Sequence, residues 1–125
     1  LNLEVLREYC LAKAGATEGL PFGADTLVFK VGEKLFLLTG ISLWNQFNVK
    51  CDPELAVELR ERHPEITPGY HMNKKLWNTV QIDGNLSDKQ LFEMIDHSYQ
   101  QVFKGLPKKV QADIRANQSR GLGGG

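Results

Sequence analysis

Residues 26–39 constrain the fold most, because they read as two apolar strands set back to back around a tight turn. Gly32-Glu33 supplies a two-residue connection with glycine at the first central position, which suits a type II′ turn. Pairing Val31 with Lys34 sets Phe29 opposite Phe36 and Leu27 opposite Leu38. That face is nearly all apolar and must point at a core, while Thr26, Val28 and Lys30 share the other face with Leu35, Leu37 and Thr39. A third strand is expected over residues 46–51, where Phe47 and Val49 alternate with Asn48 and Lys50.

The flanking segments read as helices. Asn2 can cap a first one running to about Ala14, with Leu3, Leu6 and Cys10 at helical spacing and Gly15 as a stop. Residues 16–23 follow as a Gly/Pro-rich loop, whose Leu20 and Phe22 are expected to fold down onto the core. Asp52-Pro53 opens a second helix with an acid at the N-cap and proline at the first helical position, and Pro64 ends it. A short strand over 67–72, a turn at 73–75 and a longer strand over 76–83 come next. On the longer strand Asn78, Val80 and Ile82 face one way, and Trp77, Thr79 and Gln81 the other. Ser87 and Gln90 form a capping box for a third helix that Gly105 and Pro107 terminate.

The pattern is lost from Lys108 onward. A single domain over 1–109 is therefore expected, with 110–125 as a basic extension, helical or loose. The order α-β(3)-α-β(2)-α, with strands in short-loop succession, predicts an α+β fold: a two-layer α/β domain with an antiparallel sheet covered by helices on one face. The other face is left open to solvent or a ligand.

Fifteen basic and fifteen acidic side chains cancel, which argues against a nucleic-acid binder held by bulk charge but leaves room for a local patch. Cys10 and Cys51 form no C-x-x-C and read as reduced core thiols. With no signal peptide or lipidation signature, they predict a cytoplasmic protein. His63, His71 and His97 show no ligand spacing, and no P-loop, G-x-S-x-G, G-x-G-x-x-G or H-E-x-x-H occurs. No metal, cofactor or enzymatic activity is expected. Cys51 could gain thiolate character from the helix start behind it, against the plainer reading of a buried thiol, and His71 could serve acid–base chemistry.

Residues 68–80 pack two aromatics, an imidazole, two asparagines and adjacent lysines together without an acid. If the strands are neighbours, Lys30 and Lys50 join Lys74 and Lys75 in one cationic surface beside Tyr70 and Trp77. Ammonium groups there would suit phosphates, and flat groups could stack on the aromatics. Tyr70, His71, Asn73, Lys74, Lys75 and Trp77, with Lys30 and Lys50, are the candidate nucleic-acid-binding residues. The plainer readings are a solvated turn for the lysines and packing for the aromatics.

Several of these segments together resemble the MmcQ/YjbR family. They include Leu6-Arg7-Glu8-Tyr9-Cys10, Pro21-Phe22-Gly23, Lys50-Cys51-Asp52-Pro53-Glu54, Pro68-Gly69-Tyr70-His71-Met72-Asn73-Lys74-Lys75 and Asp96-His97-Ser98-Tyr99. The resemblance implies a YjbR-like, secretion-chaperone-like domain and a DNA-binding role, and brings no catalytic residue with it. Nucleic-acid binding by a non-enzymatic module is thus the leading expectation. A protein- or peptide-interaction domain is the alternative, and a small-molecule site around His71 and Cys51 the third.

Overall fold

The structure is a computed structural model that describes residues 1–69 and 72–123, with side chains to Gln118. In chain order it has α1 (Leu3–Leu11), β1 (Ala16–Gly19), β2 (Thr26–Val31), β3 (Lys34–Gly40), β4 (Gln46–Lys50), α2 (Pro53–Arg62), β5 (Ile66–Pro68), β6 (Trp77–Gln81), α3 (Asp88–Lys104) and α4 (Lys108–Gly123). The strands form one antiparallel six-stranded sheet in the order β1-β2-β3-β4-β6-β5. This is the expected α+β arrangement, with one strand more than the sequence reading placed. Residues 16–19, read as loop, pair with β2 as an edge strand.

The central hairpin departs from expectation in two respects. Gly32 and Glu33 both have positive φ, 55° and 67°, so the turn is type I′ and not type II′. A β-bulge then shifts the register, since Lys30 faces Leu35 but Phe29 faces Leu37 and Leu27 faces Thr39. Phe29 is therefore not opposite Phe36, nor Leu27 opposite Leu38. The bulge lets consecutive Phe36 and Leu37 both reach the core, which strict alternation forbids. Phe36 meets the Tyr99 ring edge-on at 5.4 Å. Leu37 and Thr39 consequently turn inward instead of sharing the outer face, and Thr39 donates its hydroxyl hydrogen to the Gln46 carbonyl at 2.8 Å.

The helices lie on one side of the sheet. Leu6 and Cys10 of α1, and Leu91, Ile95 and Val102 of α3, close the core over Phe29, Phe36, Phe47, Val49 and Val80. The caps are as expected: Asn2 for α1, Asp52 with Pro53 for α2, and the Ser87/Gln90 capping box for α3. The basic extension is helical. In α4, Val110 and Ile114 pack on the core, and buried Gln111 donates to the Leu106 carbonyl at 2.8 Å.

Four consecutive residues of α3 make the polar ties. Asp96 accepts from the Tyr9 hydroxyl (2.7 Å) and the Lys13 ammonium, and Tyr99 donates its hydroxyl to the Ala14 carbonyl. His97 Nε2 accepts from the Asp52 amide at 3.1 Å. Ser98 Oγ donates to the Phe36 carbonyl and accepts from the Lys50 amide at 2.8 Å. Extending the Leu37–Val49 register by one residue would put Phe36 opposite Lys50, so this hydroxyl stands where the bulge opens the β3–β4 ladder.

Ser98→Ala strips a partner from the buried Phe36 carbonyl and the part-buried Lys50 amide, and is expected to cost about 2–4 kcal/mol in urea unfolding. Ser87→Ala, which removes only an exposed cap, should cost about 1 kcal/mol. Equal losses would show that the α3–sheet bridge is not special. Burial lowers the His97 pKa, partly offset by the nearby Asp52 carboxylate. The unfolded chain therefore takes up this proton first as pH falls. The stability from neutral His97 is complete above about pH 6.5 and is lost as pH drops through the lower folded value. Melting temperatures measured between about pH 7 and 5 should fall less steeply for His97→Gln than for the natural chain.

Candidate functional site

The sheet face away from the helices is built by simple alternation. Lys30 on β2, Lys50 on β4 and Trp77 on β6 point outward near the hairpin end, since Lys30 pairs with Leu35 and Lys50 with Trp77. Behind them a row crosses the sheet from Val28 through Leu38 and Asn48 to Thr79 and Thr67. Glu18 is the one acid in any described strand, and it turns to the helix side to receive the Arg7 guanidinium at 2.9 Å. The strands thus present no carboxylate on the open face, although the whole chain holds fifteen acids.

A groove of about 540 Å³ runs over this face, with Leu35, Leu38, Phe22 and Met72 as apolar walls and amides and hydroxyls as floor. Thr79 Oγ1 donates to Asn48 Oδ1 at 2.6 Å, and Gln81 Nε2 donates to Gln46 Oε1 at 2.8 Å. These bonds orient the amides, so that Asn48 and Gln46 each keep an NH₂ to offer a ligand. Phe22 is 68% exposed, contrary to the expectation that its loop folds onto the core. Asp25 fixes that loop instead, accepting from the Ser42 amide at 2.8 Å and from its hydroxyl, which lowers the carboxyl's pKa. Sequence reasoning missed Phe22 because an apolar loop residue gives no local sign of which way it faces.

The structure brings part of the predicted set together. Lys30 and Lys50 are half-exposed and two strands apart, about 10 Å by strand spacing. Asn73, Lys74 and Lys75 lie exposed on the turn before β6, where Asn73 Oδ1 accepts from the Lys75 amide at 3.0 Å and shapes the turn. Trp77 is only 8% exposed and does not offer a stacking face, which corrects the reading of it as a base platform. Its β-carbon lies 3.0 Å from where a side chain on Gly69 would begin, and the Gly69 amide donates to the Trp77 carbonyl at 2.9 Å, so the two residues pack directly together. Tyr70 and His71 lie outside the described residues.

Arg60 of α2 is a second residue the sequence reading missed. Its Nε donates to Asn78 Oδ1 at 2.7 Å, and its terminal nitrogen reaches the carbonyls of Lys74 and Trp77. The guanidinium clamps the start of β6 and so fixes the base of the lysine turn. Asn78 was the available signal, because an asparagine on the core face of a strand requires a partner.

Thiol chemistry is disfavoured. Burial pushes Cys51 up to about 11 and Cys10 up to about 12, outweighing any effect of the α2 start, so both are thiols near neutral pH. Among the described residues no three His, Cys, Asp or Glu side chains gather to hold a metal ion, and no helix is long and apolar enough to cross a membrane.

Comparison with known proteins places this geometry in a family. The YjbR family model matches residues 11–101. Protein YjbR of Escherichia coli K12 is 34% identical over 110 residues, covering 87% of this chain and 93% of its own. Protein YbdF of Escherichia coli O157:H7 is 38% identical over 96 residues, covering 76% and 79%. The crystal structure of Deinococcus radiodurans protein DR2400, with a DUF419 domain, superposes with a TM-score of 0.85 at 38% identity over 90% of this chain and 87% of that one. A Pseudomonas syringae protein gives a TM-score of 0.68 at 29% identity, covering 82% and 99%. With the family model spanning most of the chain and relatives matched over most of their length, this chain belongs to the YjbR family.

Proposed function

We propose that the chain is a cytoplasmic, non-enzymatic module whose open sheet face binds nucleic acid in single-stranded form. The observation that carries this reading is that the described strands put lysines but no acid on this face. In a neutral chain it groups Lys30 and Lys50 near the Lys74/Lys75 turn and puts an exposed aromatic, Phe22, at a groove floored by uncharged amides. Phosphates suit the ammonium end, while splayed bases suit the groove, where Asn48 and Gln46 meet base edges and Phe22 takes a base face. A duplex keeps its bases stacked inside and cannot use such a groove. The two free cysteines accord with a reducing compartment.

A peptide partner is the second reading, favoured by exposed Leu20, Phe22 and Leu43 on loops tied together by the Asp25–Ser42 contact.

Fluorescence anisotropy with labelled single- and double-stranded DNA at two salt concentrations separates these readings. Single strands are expected to bind in preference to duplex, with log K falling by about 0.7 per contacted phosphate per decade of salt. Lys30→Ala, Lys50→Ala and Lys75→Ala should each weaken binding and flatten the slope, and Phe22→Ala should cost about 1–3 kcal/mol. No binding at low salt, or binding indifferent to the lysines, would sink the nucleic-acid reading. The peptide reading instead predicts that protein partners survive nuclease treatment and are lost with Phe22→Ala and Leu43→Ala.

A further inference from the structure

On the helix side, α2 rests mainly on β5 and not on α3, and a cleft of about 250 Å³ remains between the two helices. Its floor is apolar, with Ile66 from the sheet, Leu55 and Leu59 from α2 and Met94 from α3. Leu55 and Leu59 stay half-exposed although they form the inward stripe of their helix. The cleft is smaller than a drug-sized pocket and fits a ligand of roughly ten non-hydrogen atoms.

Its polar lining has a definite sign. His97 and Gln90 could each donate or accept, but structural bonds fix both as donors. The Asp52 amide occupies His97 Nε2 at 3.1 Å, so the ring proton sits on Nδ1. The Ser87 amide occupies Gln90 Oε1 at 2.9 Å, so this side chain presents its NH₂. Neither Nδ1 of His97 nor Nε2 of Gln90 has an acceptor among the described residues, whereas both side chains line the cleft. Arg62 lines the cleft with its guanidinium already paired to Glu58, and Glu93 is the one acid in the lining. A surplus of donors over an apolar floor calls for a ligand with an acceptor end and an apolar body.

We infer that the α2–α3 cleft binds a small carboxylic acid, its apolar body against Leu55, Leu59 and Met94 and its carboxylate taking hydrogens from His97 Nδ1 and Gln90 Nε2. The site lies across the sheet from the open face and does not depend on the nucleic-acid reading.

Methyl and imidazole NMR of the full chain, titrated separately with phenylacetate, phenylacetamide and phenethylamine, tests the assignment. Phenylacetate is expected to bind with a Kd on the order of 1 mM, shifting the Leu59 and Met94 methyls and the His97 ring. The amide and the amine should bind about tenfold more weakly, lacking the charge-assisted hydrogen bonds. Leu59→Trp, which fills the cleft, should abolish binding. If that variant does not fold, the shift map on the natural chain still decides. Equal binding of the three probes, shifts confined to the open face, or no phenylacetate binding would overturn the proposal.

Discussion

The position of α3 depends on one hydroxyl. The bulge at Phe36 gives the sheet two consecutive large core side chains, and it opens the β3–β4 ladder where Phe36 and Lys50 would otherwise pair. Ser98 fills the opening as donor to one strand and acceptor from the other. A helix packed by apolar contacts alone can slide along a sheet, because burial has no direction. A hydroxyl wedged between two strands cannot. With Ser98 fixed, helical geometry sends its neighbours to other elements: Asp96 and Tyr99 to α1 and the turn after it, and His97 to the start of α2. The Asp-His-Ser-Tyr run thus ties α3 to the sheet, to α1 and to the start of α2, which gives it a structural role among the segments that carry the family resemblance.

Charge is partitioned by the same architecture. Helices α1, α2 and α3 carry most of the acids, and all lie on one side of the sheet. The strands contribute only Glu18, and it faces the helices. A net charge of zero therefore hides two different surfaces. Composition alone argued against a polyanion partner, whereas the strand register restores that possibility for one face only.

Local chemistry was legible in the sequence and register was not. The caps at Asn2, Asp52 and Ser87, the breakers at Pro64 and Pro107 and the outward Lys30 and Lys50 follow from neighbours within a few residues. The run Leu35-Phe36-Leu37-Leu38 is apolar in either phase, so alternation could not say which side chains turn inward, and the bulge settled it. Edge strand β1 owes its existence to β2 more than to its own residues. Trp77 and Phe22 exchanged expected environments for equally non-local reasons. Gly69, just past β5, packs against the backbone of the tryptophan, and Asp25 ties the phenylalanine loop to the segment after β3.

Helix α2 shows how such contacts substitute for burial. Ala56 is its only fully buried residue, so little apolar area holds it. Its placement rests on the Asp52 amide bonded to His97 at one end and on Arg60 bonded to Asn78 and the 74–77 carbonyls further along. Hydrogen bonds are directional, so they fix the helix axis even where packing is sparse. This leaves room for a cleft beside α3 that an apolar clamp would have closed. The same Arg60 that steadies α2 also steadies the lysine turn at the sheet's edge, so one side chain sets the geometry on both sides of the sheet. Replacing it with lysine would keep the charge and lose the fork that spans three acceptors.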